Sequence, residues 1–133
     1  MTTNNTVTLQ SLLQFALPLG TTLMVGSAET TINWATTIRA QPPAFPEIYG
    51  GELALLSMEL LRSYNNRMTL SEVIESLADV DVQAIAVKGD VSDVAIATAA
   101  SRDVSLLALS DDNNLTTVER AVNALIVVVE FDS

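Results

Sequence analysis

The sequence predicts a single three-layer α/β domain with a mainly parallel sheet and helices on both faces. From residue 52 onward, short apolar runs alternate with segments whose apolar residues recur at helical spacing. This alternation is typical of parallel strands joined by right-handed helical crossovers. The runs are apolar throughout, as in strands that helices cover on both sides. With 133 residues, of which 49% are hydrophobic, the chain is long enough to form its own core.

An N-terminal helix and short paired strands are predicted before this unit. Thr8 is the expected N-cap of the helix, which should end at residues 18–20, Pro-Leu-Gly. TLMV at 22–25 predicts a short strand. In residues 31–39, TINWATTIR, the side chains alternate with a period of two residues, which predicts a single strand with one buried face. The residues expected on that buried face are Ile32, Trp34, Thr36 and Ile38.

The alternating unit itself follows a connection with three prolines in five positions, residues 42–46. Its predicted strands are ELALLS, QAIAVK and SLLALS, at 52–57, 83–88 and 105–110. The predicted helices are a short helix or turn after residue 58, a helix with a capping box from Thr69 to Glu72, a helix capped by Asp90, and a final helix from Leu115. The tail, ALIVVVEFDS, predicts either a helix that is apolar nearly all round or a terminal strand.

Composition excludes several function classes. The net charge is −10, with 6 basic and 16 acidic residues, which argues against direct contact with nucleic acid or with an anionic membrane. The chain has no Cys and no His, so disulfides, most zinc and copper sites, and Ser-His-Asp or Cys-His catalysis are excluded. No apolar run is long enough for a membrane span, and no signal peptide is recognisable. We therefore expect a cytoplasmic protein that is not an enzyme and has no cofactor.

The strongest candidate for ligand contact is Lys88, the only lysine. It ends a predicted strand immediately before Gly89 and Asp90, and ligands of open parallel sheets bind beyond the carboxyl ends of the strands. A cation beside a helix N-terminus can hold a carboxylate or a phosphate. The alternative is an ion pair between Lys88 and either Asp90 or Asp93.

A second candidate is the glycine pair in YGGELALLS, residues 49–57. Gly50 and Gly51 predict a tight turn into the central strand, because glycine adopts backbone angles that other residues avoid. A backbone cradle for a small ligand is the alternative. If a small anionic metabolite binds, we expect it near Lys88, Gly89 and this turn.

Other polar and aromatic residues have structural interpretations. Ser110, Asp111 and Asp112 are expected to form a helix cap and a solvated turn. Trp34 is expected to pack in the core, with base stacking as the alternative. Asp79 and Asp81 flank a predicted helix-to-strand turn, so we do not expect them to act as an acid–base pair.

The order of these segments resembles the N-terminal domain of PucR-type transcriptional regulators, the purine catabolism regulatory family. The segments that carry the resemblance, within residues 7–127, are VTLQSLL, TTLMVGSAETTINWATTIR as paired strands, GGELALLS, VQAIAVKGDV, ATAASRDVSLLALS and the closing helix. The stretch from Gly50 to Leu53 matches a Gly-Gly-Glu-Leu element of that family. Two departures, at Glu47 to Tyr49 and at Leu56 to Met58, prevent ligand identity from being carried over.

The resemblance implies a regulatory input domain that binds a small metabolite or a neighbouring domain, and a helix-turn-helix output domain if the chain belongs to a longer regulator. It divides the chain into a flexible N-terminus at 1–7, the regulatory domain at 8–127, and a tail or linker at 128–133. The apolar tail leads us to expect a homodimer. The alternatives are a stand-alone oligomerisation module and, by fold-level similarity to the N-terminal domains of Mur ligases, a nucleotide-holding accessory domain of an enzyme.

Overall fold

The computed structural model describes residues 7–38, 50–64, 67, 69–110 and 113–131. Its helices and strands, in chain order, are β1 (Val7–Thr8), α1 (Leu9–Phe15), β2 (Thr22–Val25), β3 (Thr31–Ile32), β4 (Trp34–Thr37), β5 (Glu52–Ser57), α2 (Met58–Tyr64), α3 (Leu70–Asp79), β6 (Ala84–Lys88), α4 (Asp93–Ser101), β7 (Ser105–Leu109) and α5 (Leu115–Phe131).

The main sheet has five strands in the order β2-β7-β6-β5-β4. Strands β4, β5, β6 and β7 are parallel, and β2 is antiparallel to β7. A separate small sheet pairs β1 with β3 in antiparallel orientation. The predicted mainly parallel sheet is therefore confirmed, and the three apolar runs after residue 52 are its adjacent central strands.

Helices cover both faces of this sheet, so the predicted three layers are confirmed. In β5, Leu53 and Leu55 belong to the core formed with α1 and α5. The intervening Ala54 and Leu56 belong to the second core, which α2, α3 and α4 complete. All six residues of β5 are buried, which is why the sequence of this strand is apolar on both faces.

Two helices begin at the predicted caps. Thr8 Oγ1 accepts a hydrogen bond from the Ser11 amide at 3.3 Å, and Thr69 Oγ1 accepts one from the Glu72 amide at 3.2 Å. The predicted cap of α4 was wrong: Ser92, rather than Asp90, accepts from the Ala95 amide at 3.2 Å. Ser92 directly precedes the first helical residue, whereas Asp90 lies two residues further away.

The predicted single strand over 31–39 was also wrong, because Asn33 forms a bend that divides it into β3 and β4. The bend reverses the inward face: Ala35 is buried, whereas Trp34 has 46% of its surface exposed. Trp34 therefore does not pack in the core as predicted. Ile32 and Ile38 belong to the two different cores on opposite faces of the main sheet.

Other N-terminal predictions also need correction. Strands β2 and β4 form opposite edges of the main sheet, so TTLMVGSAETTINWATTIR does not pair with itself as expected, and β3 pairs with β1 instead. Val7 is a buried member of β1, whereas residues 1–6 of the expected flexible terminus lie outside the described residues. At the other end, the tail is helical through Phe131.

A side chain of α5 covers part of the outer edge of β4. Asn123 Oδ1 accepts from the Ala35 amide at 2.7 Å, and Asn123 Nδ2 donates to the Ala35 carbonyl at 3.0 Å. Thr37 Oγ1 donates to Glu119 Oε1 at 2.7 Å. The Asn123 amide thus takes the place of a neighbouring strand at Ala35, and it protects an edge that would otherwise offer free backbone groups to another chain.

Candidate functional site

The carboxyl ends of β5, β6 and β7 lie along one edge of the sheet, because the strands are parallel and in register. Ser57 ends β5 opposite Lys88, which ends β6. Helices α2, α4 and α5 each follow one of these strands, so their N-termini also begin at this edge. Ligands of open α/β sheets bind in this position.

A cavity of about 500 Å³ lies at this edge, between the start of α2 and the end of β6. Its volume is within the range of small-molecule sites. The residues that line it are Ser57, Met58, Glu59, Arg62, Lys88, Gly89 and Asp90. Three of the five candidate residues from the sequence, Lys88, Gly89 and Asp90, therefore line one cavity.

Two further cavities continue this one on either side and complete a groove along the carboxyl edge. The first, of about 390 Å³, shares Ser57, Glu59 and Lys88 and extends to Asn114 through Thr116 at the start of α5. The second, of about 450 Å³, shares Arg62 and Asp90 and extends over Val91 to Val94 at the start of α4. We call the three together the carboxyl-edge groove.

Both cations of the groove lack a carboxylate partner among the described residues. Arg102, outside the groove, forms ion pairs with Glu75 and with Asp79, each at 2.6 Å. Within the described part of the chain, neither Lys88 nor Arg62 takes part in an ion pair or side-chain hydrogen bond. The alternative interpretation of Lys88, an ion pair with Asp90 or Asp93, is therefore not what the structure has.

Ser57 adds a hydroxyl group to the wall of the groove. Its side chain is buried, and its Oγ accepts a long hydrogen bond of 3.4 Å from the Leu60 amide at the start of α2. Among the described contacts, the hydroxyl hydrogen of Ser57 has no acceptor. This hydrogen is available to a ligand in either of the two cavities that Ser57 lines.

Gly89 shapes the same wall through its backbone. Its φ angle is +127°, a conformation that residues with a side chain rarely adopt. A Cβ at this position would lie 3.7 Å from the Met58 Cβ, which is ordinary contact. The glycine is therefore required by the turn out of β6, and steric conflict with a neighbour is not the reason.

The glycine pair lies at the opposite end of the sheet. Gly50 and Gly51 precede the first residue of β5, with φ angles of +103° and +84°. The Gly51 amide donates to the Asp81 carbonyl at 2.9 Å, and the Asn33 side chain donates to the Gly50 carbonyl at 3.2 Å. Since β5 separates this turn from Lys88 by about 20 Å, one small ligand does not contact both. The turn interpretation of the pair is the one with structural support.

The remaining polar candidates also have structural partners. Asp79 pairs with Arg102, and Asp81, at a φ of +65°, supplies the carbonyl that Gly51 contacts. The helix cap expected at Ser110 to Asp112 was wrong, because Asn114 caps α5 by accepting from the Thr116 amide at 2.9 Å. Ser110 instead accepts from the Asn113 side chain at 2.7 Å. Asp111 and Asp112 lie outside the described residues.

Three residues of the groove were not singled out from the sequence: Ser57, Glu59 and Arg62. They follow β5 as Lys88 to Asp90 follow β6, so the rule for carboxyl ends of parallel strands, applied to both strands, would have found them. The signal is weak in the sequence, because SMELLR also has the composition of an ordinary helix start.

Within the described residues, no group of three or more acidic side chains is arranged to hold a metal ion. None of the helices in this part of the chain is long and apolar enough to span a membrane. Comparison with protein-family models and with curated proteins finds no match to the chain.

Proposed function

We propose that this chain is a regulatory input domain of the PucR-like kind, which binds a small polar metabolite in the carboxyl-edge groove and transmits its presence to an output domain. One observation carries the proposal: Lys88 and Arg62, in a chain of net charge −10, line the same cavity and have no carboxylate partner among the described residues. A protein with an excess of 10 acidic residues readily supplies surface partners for its cations. Two cations left unpaired in one concave site are suited to an external ligand.

The position of the groove suits a regulatory role. Its walls come from β5, β6 and the starts of α2, α4 and α5, so a ligand would contact elements from both faces of the sheet. Binding would favour whichever arrangement of these helices contacts the ligand best, and this differential affinity is the physical basis of a ligand-controlled switch. The proposal requires no catalytic group, and it places the protein in the cytoplasm, where metabolites are sensed.

A binding screen by thermal unfolding tests this proposal. A metabolite that binds the folded state alone at a concentration of 100 times its Kd stabilises that state by about 2.7 kcal/mol, which raises the melting temperature measurably. Purine catabolites and other small polar metabolites form the panel. Each hit is repeated with Lys88→Gln and with the control Arg102→Gln, whose position is outside the groove. Absence of any hit, or hits that both variants bind equally well, would count against the groove as a regulatory site.

A second candidate function, self-association, is favoured by the C-terminal half of α5. From Ala121 to Val129 the helix has no charged residue, and its one polar residue, Asn123, is turned toward β4. On the outer side, 43% of the Val127 surface and 58% of the Val128 surface are exposed. We propose a second copy of the chain as the partner of this surface, which gives the homodimer expected from the sequence.

Sedimentation velocity at micromolar concentration tests the dimer. The wild-type chain is expected to sediment as a dimer, and Val128→Lys as a monomer, because a charge at the centre of the contact must lose its hydration. Arg120→Gln, an exposed change about two turns earlier on the helix, serves as control. A wild-type chain that stays monomeric as the concentration rises rejects the proposal.

A further inference from the structure

Among the described residues that line it, the central cavity of the carboxyl-edge groove has positive and negative side chains in equal number. Arg62 and Lys88 supply two positive charges, and Glu59 and Asp90 supply two negative ones. Glu59 and Lys88 also line the cavity on the α5 side, whereas Arg62 and Asp90 also line the one on the α4 side. Each end of the central cavity therefore has one cation and one carboxylate.

These four side chains are not paired with one another. By contrast, Arg102, which lies outside the cavity, contacts two carboxylates at 2.6 Å. No ion pair joins Arg62 or Lys88 to either acidic residue of the cavity. The cavity thus offers two types of unsatisfied charge within about 500 Å³.

The balance of charges discriminates between ligand classes. A simple anion is attracted by Arg62 and Lys88 but repelled by Glu59 and Asp90. A simple cation is attracted by the two carboxylates but repelled by the two cations. Like-charge contacts of this kind lower the affinity for the wrong ligand and so contribute to specificity. A molecule with both charges can contact both sets. We propose that the groove binds a small zwitterion with an ammonium and a carboxylate group, such as an amino acid; this inference rests on the proposed ligand-binding function.

The available hydrogen-bonding groups match such a ligand. The planar guanidinium of Arg62 can bind a carboxylate through two parallel hydrogen bonds, and the Lys88 ammonium can add a third. The Ser57 hydroxyl, whose hydrogen has no acceptor among the described contacts, can donate to the same carboxylate. The carboxylates of Glu59 and Asp90 then accept from the ligand's ammonium group. Exposed Leu60 and Val94 line the outer parts of the groove, where they can contact an apolar substituent.

Calorimetric titration at low ionic strength tests the inference with defined probes. The zwitterions are glycine, β-alanine and γ-aminobutyrate, which place the two charges progressively further apart. Acetate and methylammonium each supply one of the two charges alone. We expect one zwitterion to bind at least tenfold more tightly than acetate and than methylammonium. The identity of that zwitterion reports the separation of the two subsites.

Charge-neutralising variants locate the binding. Lys88→Gln and Glu59→Gln should each weaken binding of the zwitterion about tenfold, and Glu59→Gln should strengthen binding of acetate, because it removes a repulsive carboxylate. Arg102→Gln should change neither. All the substituted side chains lie at the surface, and circular dichroism verifies the fold of each variant.

Any one of three results overturns the inference: acetate binds as tightly as every zwitterion does, the groove variants leave zwitterion binding unchanged, or no zwitterion binds at all. The last result leaves the proposed regulatory function intact if the metabolite screen finds a neutral or singly charged ligand that depends on Lys88. Conversely, zwitterion binding that changes neither the association of the domain nor the arrangement of α2, α4 and α5 would support the inference and count against the regulatory function.

Discussion

The two ends of the parallel sheet use their polar groups in opposite ways. At the amino end, the turn before β5 is satisfied internally: Gly51 contacts Asp81, Asn33 contacts Gly50, and the Gly50 amide donates to the Glu52 carboxylate at 2.8 Å. At the carboxyl end, Lys88 and Arg62 have no partner in the described part of the chain. Polar groups that pair internally hold the fold together, whereas groups left unpaired in a cavity are available to a ligand.

This contrast predicts how mutations at the two ends differ. Changes at the amino end should lower the free energy of unfolding, because they break contacts that exist without a ligand. Changes at the carboxyl end should leave stability nearly unchanged and should alter ligand binding instead. The predictions below run from the largest expected effect to the smallest.

Gly51→Ala should destabilise the protein most. The added Cβ would lie 2.2 Å from Asn33 Nδ2, and the φ of +84° is unfavourable for alanine. The exposed Asn33 side chain must move away and lose its hydrogen bond to the Gly50 carbonyl. This loss and the backbone strain together predict a decrease of about 2–3 kcal/mol in the free energy of unfolding, measured by urea denaturation.

Gly20→Ala is the matched control. Gly20 has a similar φ of +92°, but its added Cβ meets nothing within 4 Å. Only the backbone strain remains, so a loss of about 1–2 kcal/mol is expected. If Gly51→Ala destabilises the protein no more than Gly20→Ala does, the contact between Asn33 and the turn is not the reason for the glycine.

Asn123→Ala should have the next largest effect. It removes both hydrogen bonds to the backbone of Ala35, a buried residue on the edge strand β4. Leaving these groups without a partner predicts a loss of about 1–3 kcal/mol and faster hydrogen exchange of the Ala35 amide. Arg120→Ala, an exposed change on the same helix, should alter neither quantity. If hydrogen exchange of the Ala35 amide is unchanged in Asn123→Ala, water replaces the hydrogen bonds of the side chain without loss of stability.

The sequence predicted the central part of the fold well, because periodicity and burial agree there. Strands β5, β6 and β7 are apolar on both faces, and the helices between them have clear caps such as Thr69. The N-terminal part was less predictable. The alternation in TINWATTIR has the period of a strand, but nothing in its composition shows that Asn33 bends the chain and moves Trp34 to the opposite face.

The candidate site was half predictable for a similar reason. Lys88 could be found because it is the only lysine and ends an apolar run. Arg62 was missed because SMELLR has the composition of an ordinary helix start, although it follows β5 as Gly89 and Asp90 follow β6. The expected link between Lys88 and the Gly50–Gly51 turn was wrong, because the glycines precede their strand whereas Lys88 ends its own, and parallel strands place those two positions at opposite ends of the sheet.

Arg102→Gln should lower the free energy of unfolding by a smaller amount than Asn123→Ala does. High salt should abolish this effect. Arg102 bridges Glu75 and Asp79 of α3 from the end of α4, and all three side chains are accessible to solvent. Hydrogen bonds to Asp79 and Glu75 raise the pKa of Arg102 above its usual value. The contribution is therefore present throughout the neutral range and is lost only as the pH rises through that raised pKa, in strongly alkaline solution. Urea denaturation at low and high salt should show a loss at low salt alone. A loss that persists at high salt would indicate packing of the arginine stem instead.

The smallest effect on stability is expected for Lys88→Gln and Arg62→Gln. Since neither cation has a partner in the described part of the chain, its removal breaks no internal contact. Each change makes the chain more acidic by one charge, from −10 to −11, which adds only weak self-repulsion. The free energy of unfolding should therefore stay within about 0.5 kcal/mol of the wild-type value without ligand. With a ligand of the carboxyl-edge groove at saturation, the wild-type chain should gain stability and these variants should gain less. A large loss of stability without ligand would mean that the two cations hold the fold together, and the contrast between the two ends of the sheet would no longer hold.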